Sequence, residues 1–116
     1  MEVFTASCFE QLFKESKDQV GLFRKFDFMG NTAEIYFGNF GGGLSFNVKK
    51  DSSLIFGRVI GGLNKNTGFD YLIEIITFHL SREISRTDHN ADKLVLEKLL
   101  IELNSKAEKE LINEHH

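Results

Sequence analysis

TAEIYFGNFGGGLSFNVKKDSSLIFGRVIGG, residues 32–62, decides the fold class. In its centre Leu44, Phe46 and Val48 alternate with Ser45, Asn47 and Lys49, the period of a strand with one dry face and one wet face. Upstream, Ala33, Ile35 and Phe37 mark the dry face of a strand over residues 32–40. Downstream, residues 54–61 make another, in which Arg58 interrupts the apolar set and Gly57 marks a bulge or a close backbone approach. Gly41, Gly42 and Gly43 form one joint, and Lys50-Asp51-Ser52-Ser53 the other. Strands joined this tightly read as an antiparallel meander.

Working outward, Leu22, Phe26 and Phe28 share one face of an earlier strand, with Phe23, Lys25 and Asp27 on the other, and Gly30-Asn31 reads as its two-residue hairpin turn. Ser7 stands three residues before Glu10, a capping-box spacing, so a first helix is expected over residues 7–18 with Phe9, Leu12 and Phe13 inward. The four-residue spacing of Phe4, Cys8 and Leu12 also allows a start nearer Val3.

Beyond a glycine- and asparagine-rich loop at 61–68, residues 71–80 are apolar nearly all round, with Glu74, Thr77 and Ser81 as a narrow polar stripe. That pattern predicts a mostly buried helix, although the β-branched content also suits a strand; continuation through Arg82, Glu83 and Ile84 favours the helix. Asp88 is placed to cap a last helix striped by Leu96, Leu100, Leu103, Ala107 and Leu111, with Lys93/Glu97, Lys98/Glu102 and Lys106/Glu110 on its wet side. The expected architecture is a two-layer α+β domain over residues 1–114, order α-β-β-β-β-α-α, with all helices on one face of a four-stranded meander. Glu114-His115-His116 resembles the start of a purification tag, and His115 and His116 are set aside.

Twelve phenylalanines and no proline mean an aromatic core and turns built on Gly, Asn, Asp and Ser. The single Cys8 has no disulfide partner, and no charged segment leading into an apolar one opens the chain. A reducing cytoplasm is therefore expected. No apolar run reaches the roughly 20 residues a membrane span needs. Net charge is -3, distributed unevenly. Residues 1–68 hold eight basic against seven acidic residues, and residues 69–116 hold six against ten. This balance disfavours nucleic acid and suits a basic protein partner.

Four stretches carry candidate chemistry. Ile35-Tyr36-Phe37-Gly38-Asn39-Phe40 resembles the RNP2 strand of RNA-recognition motifs, which would imply base stacking at Tyr36. That family's Lys/Arg-Gly-aromatic partner signature is missing, and apolar alternation accounts for the same residues as a core strand. Residues 38–43 lack the Gly-Lys-Ser/Thr ending of a phosphate loop and fit a hairpin bend. His79, Glu83, Asp88 and His89 could hold a metal or run acid–base chemistry in a small enzyme, but no second ligand pair has a recognised spacing. Cys8 reads as a small buried side chain rather than a nucleophile.

These observations lead to the expectation of a non-enzymatic protein-binding module, with no catalytic residue, metal or cofactor. Small size, acidity, one cysteine and the lack of a catalytic motif together resemble small bacterial immunity and antitoxin-type proteins, a resemblance of kind that no motif carries. It implies a partner such as a basic nuclease toxin, occluded at its active site. Lys25, Asp27, Glu34, Tyr36, Asn47 and Lys49 on the sheet's wet face are the candidate surface, with Glu97 and Glu102 of the last helix as an acidic addition. A homodimer, through an edge strand or the leucine stripe of the last helix, is the remaining partner expectation.

Overall fold

The computed structural model describes residues 1–40 and 42–114, with side chains as far as Ser105 in the last helix. Its elements are α1 (Ala6–Ser16), β1 (Leu22–Phe28), β2 (Asn31–Phe37), β3 (Gly43–Lys50), β4 (Ser53–Gly61), α2 (Phe69–Arg86) and α3 (Asn90–Glu114). The strands form one antiparallel sheet in the order β1-β2-β3-β4, as the alternation requires. The helices cover the dry face, and the expected α-β-β-β-β-α-α order holds throughout.

Phenylalanine joins the layers. Phe9 of α1 meets Phe46 of β3 at 5.5 Å between ring centroids and Phe69 of α2 at 5.5 Å. Phe4, just before α1, meets Phe26, Phe28 and Phe46 edge-on. α3 completes the cover with Leu96, Leu99 and Leu103, all fully buried. Phenylalanine and leucine carry no polar atom that would need a partner inside. Among the described residues, no buried side-chain nitrogen or oxygen lacks a hydrogen bond.

Several local features differ from expectation. The cap of α1 is Thr5, not Ser7. Its Oγ1 accepts from the Cys8 N–H, and the Cys8 Sγ accepts from the Thr5 N–H, both at 3.1 Å. A thiol thus fills the place usually held by Glu or Gln in a capping box, leaving Cys8 half-buried at the helix start. The first hairpin turns at Met29-Gly30, one residue earlier than expected, with both residues at positive φ (54° and 79°). Asn31 pairs with Phe28 and is buried, its Nδ2 donating to the carbonyls of Phe28 and Met29. β2 stops at Phe37, short of the expected Phe40: the Gly38 N–H to Gly43 O bond closes the β2–β3 hairpin, and Phe40 lies at φ 44° in the connection.

The bulge in β4 is at Ile55, which the register skips between Val48↔Phe56 and Lys49↔Leu54. Gly57 is instead a close approach: a Cβ there would lie 2.8 Å from Asn47 Oδ1 and 2.9 Å from Leu54 Cδ2. Residues 71–80 are helical, but α2 is not mostly buried. Leu72, Ile73, Ile76 and Leu80 face inward while Tyr71 and Phe78 are each 57% exposed, since a two-layer fold can cover only one side of a helix. Ala107, Leu111 and the Lys106/Glu110 pair lie outside the described side chains, and His115 and His116 outside the described residues.

Both outer strands are guarded against edge pairing. On β1, Phe4 N–H donates to Asp27 O and Asp27 N–H to Glu2 O, each at 2.8 Å. On β4, the bulge breaks the edge and the Arg58 guanidinium occupies Gly57 O at 2.7 Å.

Met29 is a poor residue for left-handed backbone, whereas asparagine before glycine suits such a turn. Met29→Asn is expected to raise stability by about 0.5–1 kcal/mol, read as a higher urea midpoint with unchanged slope.

Candidate functional site

The open face of the sheet is built in rows, because antiparallel register sets wet-face residues side by side. Phe23, Tyr36, Ser45 and Val59 form one row; Lys25, Glu34, Asn47 and Gly57 the next; Asp27, Thr32, Lys49 and Leu54 the third. With strands about 4.8 Å apart, a row spans roughly 14 Å. All six sheet residues expected from the sequence lie on this face. Tyr36 is 45% exposed, its hydroxyl over Gly21 just before β1, 3.8 Å from where a Cβ would sit.

Phe23 and Val59 belong to the same surface although neither was singled out from the sequence. Phe23, 44% exposed, lies directly opposite Tyr36, and Val59 is 83% exposed at the end of that row. The two-residue period already puts Phe23 on the face of Lys25. Leu54, 58% exposed, leans over the space left by Gly57. The face is thus an apolar row beside polar ones.

Its charges are balanced, Lys25 and Lys49 against Asp27 and Glu34. Lys49 Nζ bridges diagonally to Glu34 at 3.0 Å, and Lys25 Nζ sits 5.9 Å from the Phe23 ring centroid. Asn47 Nδ2 donates to Ser45 Oγ at 3.2 Å. A part-exposed bridge of this kind contributes about 1 kcal/mol or less; it holds the side chains in place more than it stabilises the fold.

The two acidic residues of α3 are elsewhere. Glu97 is half-buried on the helix layer. Glu102 is a structural residue rather than part of a solvated stripe: its Oε2 accepts from the N–H of Ala6 at 3.0 Å, placing a carboxylate at the positive end of α1.

His79, Glu83, Asp88 and His89 are not gathered into one site. Glu83 pairs with Arg58 of β4 at 3.4 Å. His89, not Asp88, caps α3: its Nδ1 accepts from the Asp92 N–H at 3.4 Å and its carbonyl accepts from Lys93. Asp88 is exposed. Among the described residues, no three His, Cys, Asp or Glu side chains cluster so as to hold a metal ion. No helix among them is long and apolar enough to cross a membrane.

No protein-family model, curated protein or solved structure gives a significant match to this chain.

His79 sits on α2 where partial burial, then the positive charges of Arg58 and Arg82, lower its pKa below the ordinary 6.5. Folding thus favours the neutral ring, and the unfolded chain binds more protons just below pH 6.5. This contribution to stability is full above that pH and is lost as pH falls from 6.5 through the lowered value. Titration of the His79 ring by NMR is expected to give a midpoint below 6.5 that rises in Arg82→Ala; a midpoint at or above 6.5 would contradict this environment. Glu102→Ala is expected to cost about 1–2 kcal/mol in denaturant unfolding by leaving the part-buried Ala6 N–H in the first turn of α1 without its acceptor, while the Thr5–Cys8 cap stays in place.

Proposed function

We propose that this protein is a non-enzymatic protein-binding module that engages its partner through the open face of the sheet. The observation that carries the reading is the row Phe23–Tyr36–Ser45–Val59, three exposed hydrophobic side chains in register on a rigid sheet. Exposed apolar residues set together and bordered by charges are how a soluble surface is prepared for another protein, with tyrosine as a favoured anchor. The neighbouring Lys25, Glu34 and Asn47 supply directional contacts that fix orientation.

The biological form of the proposal is an immunity- or antitoxin-type inhibitor. The net charge of -3 supports attraction of a basic partner such as a nuclease toxin over long range. The even charge of the sheet face means that short-range recognition there depends on shape and apolar contact.

One other reading has an observation in its favour. Phe23 and Tyr36, exposed and directly opposite, could stack two unpaired bases of a single-stranded RNA. The balanced charge around them favours protein, since phosphate binding draws on a basic surface.

Affinity capture from source-cell lysate is expected to recover a protein whose yield falls at least about tenfold with Tyr36→Ala or Val59→Glu and is unchanged with His79→Ala. A partner retained by both sheet-face variants would overturn the assignment of the surface. Capture that is nuclease-sensitive and falls steeply with salt would replace protein with RNA.

A further inference from the structure

The helix layer carries a second apolar surface, on the side of the molecule away from the open sheet face. Tyr71 and Phe78, each 57% exposed, line a shallow groove on α2 with Glu74 and Ile75. Positions 71, 75, 78 and 82 share one side of a helix, and the Arg82 guanidinium lies 5.6 Å from the Phe78 ring centroid. α3 packs along α2 and presents Leu94 and Ile101, 49% and 62% exposed and seven residues apart, on its own outward side.

Charge along this strip is segregated. Asp70 and Glu74 lie in the N-terminal half of α2, Arg82 and Arg86 in the C-terminal half, all exposed. Such a strip complements itself when reversed. In an antiparallel pair with the two-fold axis near Phe78, Glu74 of each copy faces Arg82 of the other, twice over, and the helix dipoles oppose favourably. A parallel pair would set like charges together.

We propose that two copies of this chain associate through the outward face of α2, flanked by α3, as a two-fold dimer. The other routes to self-association are less open. Leu96, Leu99 and Leu103 of α3 are spent on the core, and both sheet edges are guarded. A single 18-residue helix, about 27 Å long, offers a narrow strip against the roughly 800 Å² per partner of a standard interface. Leu94 and Ile101 therefore belong to the contact, and the dimer is reversible with concentration. The proposal is independent of the sheet-face reading, which uses the opposite side of the molecule.

Sedimentation equilibrium between about 10 μM and 1 mM is expected to show the average mass rising from one chain toward two. Phe78→Glu should leave a monomer across that range. Glu74→Arg and Arg82→Glu should each weaken association by about tenfold or more, and the double reversal should restore it to within a few-fold of wild type. Each changed side chain is exposed, so circular dichroism melts should match the parent. A wild-type monomer at every concentration would overturn the proposal. So would a dimer indifferent to Phe78→Glu, or single-reversal losses that the double reversal does not recover.

Discussion

The contact between Phe9 and Phe46 is the constraint on which the rest of the molecule depends. Phe46 lies on one of the two central strands, is fully buried, and also meets Phe4 and Phe56. Phe9 reaches from α1 to the sheet and, through Phe69, to the start of α2. Rings meeting edge to face gain about 0.5–1.5 kcal/mol beyond the area they bury, and this cluster repeats such contacts from one element to the next. A core made this way is apolar throughout. Polar side chains capable of recognition are pushed to the surface, where any contact with a partner must be made.

Much of the fold was legible because the strands obey a strict two-residue period; a slip of one residue in any of them would bring the charged set inward. What was not legible has local causes. The Met29-Gly30 turn is hidden in the sequence because Asn31 looks like a turn residue, whereas its side chain is consumed inside the hairpin by the carbonyls of Phe28 and Met29. The cap of α1 was misplaced because a cysteine thiol does the work of a glutamate there. The exposure of Tyr71 and Phe78 is not visible in the sequence because an apolar helix suggests burial, whereas in two layers one side of α2 has nothing to pack against.

The same distinction governs the candidate site. Its polar members, from Lys25 to Lys49, follow from alternation alone, as does the face of Phe23; that Phe23 and Val59 stand in one row with Tyr36 follows only from the cross-strand register. Glu102 failed in the opposite direction. Its four-residue spacing from Lys98 suggested a solvated pair, while the open N-terminus of α1, ninety-six positions away in the chain, supplied a stronger partner. Spacing along one helix carries no information about an element that packs across it.

The two apolar surfaces lie on opposite sides of a molecule whose layers are about 10 Å apart. They share no side chain, so contacts made at one leave the energetics of the other nearly unchanged. In a dimer joined through α2 the two open sheet faces point away from each other, and neither copy obstructs the other's Tyr36 row. A symmetric or repeated partner long enough to reach around the dimer would then meet two such rows, and its second contact would form at an effective concentration set by that reach, raising avidity without any new side-chain interaction. A single-sided partner would gain nothing from the pairing. Partner symmetry, rather than any residue in the sheet, would then determine whether self-association matters for recognition.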